Sequence, residues 1–245
     1  MAGELSIEWL GLVPYGEALA RQEAALHDRA AGLAGDRLLL LEHPPVVTLG
    51  RSTRAANLLF SAEQLRARGI EVFEVGRGGD VTYHAPGQLV GYPIIDLSAP
   101  DRRDVHAFLR RLEAGLIDAL EEWAIPARRI EGRTGVFIDR ERSRRSGGRE
   151  RKIASIGVGL RRWVTWHGFA LNVDLDLAGF DVIVPCGLPD VVMTSVAHEL
   201  AIERGEPTAD PRSGRAGRLA PEGESTLAER VRESVARTLA KRLVA

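Results

Sequence analysis

The sequence predicts an α+β domain with a mixed, largely antiparallel sheet flanked by helices. Three observations carry that expectation. Short apolar runs bounded by glycine and proline crowd the middle of the chain, amphipathic stretches flank them, and nowhere do strand and helix alternate strictly as a doubly wound sheet requires. The 245 residues, 44% apolar and 27% charged, suffice for one core, so residues 1–245 are read as a single domain.

Each element has its own signal. SIEWLGLV, from position 6, predicts a strand, and residues 15–31, rich in alanine, leucine and glutamate, predict a helix. RLLLLE at 37–42 and VVTL at 46–49 read as buried strands bracketed by His43-Pro44-Pro45 and Gly50. Residues 61–68 suit a short helix capped by Ser61 and stopped by Gly69. EVFEV from 71 and LVGYPIIDL from 89 are strands joined by a loop. Asp101 is expected to cap a helix in which Val105, Phe108, Leu109, Leu112, Leu116, Leu120 and Trp123 form one stripe, with Pro126 ending it.

TGVFID at 134–139 and IASIGVGL at 153–160 form the arms of a hairpin whose exposed, arginine-rich tip spans 140–151. In 169–177, Phe169, Leu171, Val173, Leu175 and Leu177 alternate with polar or small residues, which predicts a strand with one buried face. A helix follows at 194–203, then a loop expected to be mobile at 204–224. Thr226 and Glu229 make a capping-box pattern before a terminal helix striped by Leu227, Val231, Val235, Leu239 and Leu243.

Composition narrows the function classes. A net charge of -1 gives no overall basic field for nucleic acid or anionic lipid. No apolar run approaches the ~18 residues of a membrane span, and the acidic start does not resemble a signal peptide, so a soluble cytoplasmic protein is expected. The single cysteine, Cys186, excludes an internal disulfide. Of the 33 cationic side chains only Lys152 and Lys241 are lysine. Lysine, unlike arginine, can lose its proton and act as a base.

Three stretches carry chemical potential: the loop from Arg77 to Gln88, the segment from Lys152 to Phe169, and Pro185-Cys186-Gly187. A thiol can receive an acyl group from a thioester by an exchange that is nearly balanced in energy and needs no ATP. An unperturbed thiol, with a pKa of about 8.5, is mostly protonated at neutral pH, and an ammonium beside it favours the thiolate. The mid-chain Lys152 is the candidate partner for Cys186. The glycines at 78, 79, 157 and 159 would let backbone approach a ligand, and His84 could bond a carbonyl or move a proton.

RGGDVTYHAPGQLVGYPIIDL resembles the RGGxxTxHxPGQ signature of the lipoyl (octanoyl) transferase family, and KIASIG, WHGFALNVDLDL and PCG follow in that family's order. HPPVVTLGR at 43–51 resembles its early segment, so the likeness runs over residues 5–203. It implies a fold like the catalytic domains of biotin and lipoate protein ligases. It also implies transfer of an octanoyl or lipoyl group from acyl carrier protein to a lysine of lipoyl domains in 2-oxoacid dehydrogenase complexes or of glycine cleavage H protein. On that resemblance Cys186 forms the acyl-thioester and Lys152 lowers its pKa, then helps deprotonate the incoming amine. Arg77, Gly78, Gly79, Asp80, Val81, Thr82, Tyr83 and His84 would line the acyl site, with Ser155, Ile156, Gly157, Gly168, Phe169 and Ala170. Neither cofactor, ATP nor metal is expected. The pattern is broken where the family usually has glycine and this chain has Ala85, and where it has Asp80.

Other readings are weaker. An ATP-dependent lipoate or biotin ligase would share the fold but needs no cysteine. A nucleic-acid binder using Arg140, Arg142, Arg144, Arg145, Arg149 and Arg151 lacks interleaved aromatics for base stacking, so no nucleic acid or membrane partner is expected. A metal site built on His43, His84 and His167 lacks close ligand spacing.

Overall fold

The computed structural model describes residues 5–139, 141, 148–185, 190–206 and 225–244. The main sheet runs β1(Ser6–Leu12), β2(Arg37–Glu42), β6(Gln88–Ile94), β10(Val164–Asn172), β9(Glu150–Arg161), β8(Arg133–Ile138) and β7(Ala127–Ile130), with β11(Val191–Met193) also paired to β9. A second sheet has the order β4(Glu71–Glu74), β3(Val46–Leu49), β5(Val81–His84). Among the described strand pairs only β1 with β2, β11 with β9 and β3 with β4 are parallel, so the expected mixed, largely antiparallel sheet is observed.

Helices cover both faces of the main sheet. On one side lies α1(Tyr15–Ala30), which buries Tyr15, Ala18, Gln22, Ala25 and Leu26, a helical stripe that meets Leu39, Leu41, Val90, Tyr92, Ile94 and Val164. On the other lie α3(Val105–Glu121) and the terminal helix α5(Leu227–Val244), packed with Leu38, Leu40, Val136, Ile156 and Leu171. Two-sided coverage explains why β2 reads as an unbroken run of leucines instead of alternating. Gly115 brings α3 and α5 together, since a Cβ there would sit 2.5 Å from Leu239 Cδ2.

Two short helices are also described. Helix α2(Ala62–Ala67) has the Ser61 cap, reinforced by Gln64 in a capping box, and α4(Val196–Glu203) is capped by Ser195. The Thr226–Glu229 box before α5 is also present.

Several boundaries differ from the sequence expectation. Asp104, not Asp101, caps α3, its carboxylate accepting from the Ala107 N–H at 3.0 Å. The strand expected over 169–177 instead runs Val164–Asn172 and buries both faces, because β10 is central; Leu177–Val182 form a 3-10 turn. Strands β5, β7 and β11 lie where no strand was expected. The β9–β10 turn uses Arg162 and Trp163, both at positive φ (51° and 63°), a type I′ geometry without its usual Asn-Gly signature. Glu150 and Arg151, expected in the exposed tip, belong to β9, where Arg151 is buried; residues 140 and 142–147 of the tip, and 207–224 of the expected loop, lie outside the described residues.

Candidate functional site

The turn Ala85-Pro86-Gly87-Gln88 closes with Gln88 N–H on the Ala85 carbonyl at 3.2 Å, Pro86 second and Gly87 third at φ 85°. That is a type II turn, in which proline pre-sets one φ and glycine supplies the positive one. It carries the chain from β5 in the small sheet to β6 in the main sheet. Between those sheets lies a cleft of about 240 Å³.

The loop before β5 is laid on the main sheet. Gly78 N–H donates to the Val158 carbonyl at 2.8 Å, and a Cβ on Gly157 would stand 2.7 Å from the Gly78 carbonyl oxygen. The glycines expected to admit a ligand thus admit each other's backbones at this point. Gly79, at φ 85°, lets the loop turn, and its carbonyl accepts from Ser52 N–H at 3.1 Å.

Arg77 is buried and fixes the loop. Its guanidinium donates to the carbonyls of Thr48 (2.8 Å), Asp80 (2.7 Å) and Gly78 (3.1 Å), and twice to Thr48 Oγ1, at 2.9 and 3.3 Å. Asp80 accepts from Val81 N–H at 2.7 Å and from the Asn57 amide. Its carboxylate therefore holds the loop's own backbone.

The cleft gathers most of the expected site. Arg77, Gly79, Asp80, Val81, Thr82 and His84 line one wall; Lys152, Ser155, Ile156, Gly157, Gly168, Phe169 and Ala170 line the other. Gly78 is the loop residue bonded to Val158 of the main sheet, and Tyr83 is on the opposite face of β5 with its ring 5.5 Å from Phe180; neither lines the cleft. Ala85 packs into that same outer cluster, with a backbone that needs no glycine. Cys186 lies outside the described residues. Its downstream flank is described: Asp190 pairs with Arg133 at 3.0 Å, and β11 then joins β9, Met193 opposite Lys152.

Lys152 is buried, with Nζ donating to the Thr134 carbonyl at 3.1 Å and lying 5.4 Å from the Phe137 ring centroid. Gly135, at φ 125°, leaves the room it occupies: a Cβ there would be 2.7 Å from Lys152 Cε.

Several wall residues carried no sequence expectation: Tyr15, Val90, Tyr92, Gly132, Arg133, Thr134 and, as an acyl-site residue, His167. His167 has φ 52° inside β10, and its Nε2 is buried without a hydrogen-bond partner among the described residues. Burial pushes His167 and His84 down to about 3 and His43 to about 4, with the Arg77 charge adding to the first two. His43 is engaged by the Val13 carbonyl and Tyr92 hydroxyl, each at 2.7 Å. Among the described residues no group of three or more His, Cys, Asp or Glu is placed to hold a metal.

Residues 14–209 match the family model described as lipoyl protein ligase A/B catalytic domain. The chain is 50% identical over 192 residues to a Syntrophotalea carbinolica protein named octanoyltransferase, covering 78% of this chain and 82% of that one. It is 48% identical over 196 residues to a Myxococcus xanthus octanoyltransferase, covering 80% of this chain but only 54% of the longer relative. In fold it is similar to a solved Thermoplasma acidophilum putative lipoate protein ligase with bound lipoic acid, at a TM-score of 0.63 and 14% identity, covering 99% of this chain and 86% of that one.

Proposed function

The chain belongs to the lipoyl protein ligase A/B catalytic domain family, and from that premise we propose that it is an octanoyltransferase, moving an octanoyl group from acyl carrier protein to a lysine of a lipoyl-dependent enzyme domain. The observation that carries this reading is the near-half identity to relatives named for that transfer, extending across the stretch that forms both walls of the cleft. The ligase-like structures share the fold at low identity and lend the ATP-dependent alternative no further weight.

The chemistry assigned to the residues is a two-step exchange. Cys186 Sγ, as thiolate, attacks the carrier thioester; the bond to the carrier sulfur breaks and an acyl-cysteine thioester forms. The carrier thiolate leaves with the proton that Lys152 took from Cys186. The acceptor lysine amine then attacks the acyl-cysteine, its proton passes to Lys152, and the Cys186 thiolate is released. Supporting the pairing, β11, the strand that follows Cys186, is joined to β9 at Lys152, whose ammonium the cleft holds out of bulk water. No ATP, metal or other cofactor enters these steps. The partners in this scheme are acyl carrier protein and lipoyl domains, including glycine cleavage H protein, in the cytoplasm. Among the described residues no helix is long and apolar enough to cross a membrane.

Intact mass spectrometry after mixing with octanoyl acyl carrier protein tests it. An octanoyl adduct that disappears in Cys186→Ser is expected. Turnover by unmodified protein, or product made only from free acid with ATP, would sink the scheme.

A further inference from the structure

A directed chain of buried side-chain hydrogen bonds runs beneath the cleft. Asn172 Nδ2 is 2.9 Å from the Thr194 carbonyl, and Asn172 Oδ1 is 2.9 Å from Gln88 Nε2, which also lies 3.2 Å from the Tyr83 carbonyl. Gln88 Oε1 is 2.7 Å from His84 Nδ1, and His84 Nε2 is 3.4 Å from Thr48 Oγ1. Thr48, His84, Gln88, Asn172 and Thr194 are all buried.

A backbone carbonyl can only accept, so the two carbonyls fix every direction in the chain. Thr194 O requires the amide NH2 of Asn172. That turns Asn172 Oδ1 to Gln88, which must present its own NH2 there and to Tyr83 O. Gln88 Oε1 is then left facing His84 Nδ1 and can only accept. The other end gives the same answer independently. Arg77 donates twice to Thr48 Oγ1, filling both lone pairs, so the Thr48 hydroxyl can only donate, and its partner is His84 Nε2.

We infer that the His84 ring carries its proton on Nδ1, and that Nε2 is a bare acceptor, the one ring nitrogen left to meet a ligand in the cleft. Gln88 and Asn172 are positioning residues that set this tautomer from a distance. The ring's burial and its fall to about 3 agree with a neutral imidazole. The consequence runs against the sequence expectation that His84 could bond a carbonyl: the Nδ1–H is already given to Gln88 Oε1, and Nε2 carries no proton. On the proposed function, which this step assumes, the group it suits is a donor, the N–H of the incoming lysine amine, displacing the Thr48 hydroxyl.

Two-bond 1H–15N correlation on the 15N-labelled full chain reads the tautomer directly, with the His84 signals assigned by their loss in His84→Leu. Expected at pH 7 and still at pH 5 are a protonated Nδ1 and an unprotonated Nε2. A protonated Nε2, or an imidazolium at either pH, overturns the inference. Gln88→Glu places a carboxylate on Nδ1 and is expected to bring imidazolium signals into that pH range; an unmoved ring would show that residue 88 does not set it. Single-turnover kinetics separate the acceptor role: His84→Leu is expected to slow transfer from Cys186 to amine more than acylation of Cys186. The reverse order overturns that role. Failure of the unsubstituted protein to form any Cys186 adduct would overturn the proposed transferase chemistry and leave the tautomer standing.

Discussion

Arg151 and Glu199, 48 residues apart, form a buried two-pronged ion pair: Nε to Oε1 at 2.8 Å and Nη2 to Oε2 at 2.9 Å. The pair joins β9 to α4 next to Lys152, and Thr194 adds a hydroxyl bond to Glu199 Oε1 at 2.7 Å. Removing one partner strands a buried charge, which costs about 3–5 kcal/mol. Glu199→Ala and Arg151→Met should each lower stability by that order in denaturant unfolding. The double replacement Arg151→Met with Glu199→Leu should recover most of the loss, and simple additivity would show that the two are not coupled.

Gly157→Ala should disable the cleft without unfolding the domain. The new methyl would meet the Gly78 carbonyl at 2.7 Å and Arg77 Cδ at 3.3 Å, so the loop must lift. A displacement near 1 Å costs on the order of 100-fold in rate, read as kcat/KM. Gly16→Ala is the matched control: in α1, with only Phe73 nearby at 3.8 Å, it should raise stability by up to about 1 kcal/mol and leave the rate unchanged.

Lys152→Arg keeps the charge and removes the base. The Cys186 thiol should still react with iodoacetamide at neutral pH, while transfer to the amine falls by about 100-fold or more. Equal losses in the two assays would contradict the division of labour assigned to Lys152. Gly135→Ala should mimic the transfer defect by pushing the lysine aside.

Stability should fall as pH drops from about 6.5. His43, His84 and His167 are held neutral when folded, near 4, 3 and 3, whereas the unfolded chain takes up protons near 6.5. The unfolded state thus binds more protons between those values, so stability is whole above 6.5 and is lost as pH approaches the folded pKa values. From pH 7.5 to pH 5 the loss is up to about 2 kcal/mol per histidine. Urea unfolding at the two pH values measures it, and a flat profile would mean that these rings already titrate normally in the fold.

Ala85→Gly should restore the usual family residue without improving catalysis. Ala85 belongs to the buried cluster that includes Tyr83, Leu175 and Phe180 and does not line the cleft, and the turn's positive φ belongs to Gly87. The expected result is a loss of about 1 kcal/mol from backbone entropy and lost burial, with kcat/KM unchanged.

The bounds of β2 and β3 were legible in the sequence, as were α1, α2 and α5, because apolar period and capping residues are local signals. The motifs that mark the family were equally legible, since they are strings of adjacent residues. Strands β5, β7 and β11 were not, being three or four residues long and specified by the neighbours they pair with. Likewise Asp101 and Asp104 are both chemically able caps, and only the turn before α3 selects the second.

For the candidate site, the sequence names residues that the cleft gathers: Arg77, Gly79 and His84 on one wall, and Lys152, Ser155, Ile156, Gly157, Gly168, Phe169 and Ala170 on the other. Tertiary structure decided their parts. Whether a glycine admits a ligand or another backbone depends on what lies across from it, and Gly157 faces Gly78. Whether a histidine donates or accepts depends on hydrogen-bond directions set by residues remote in sequence, here from Thr48 to Thr194, because each carbonyl in the chain can only accept.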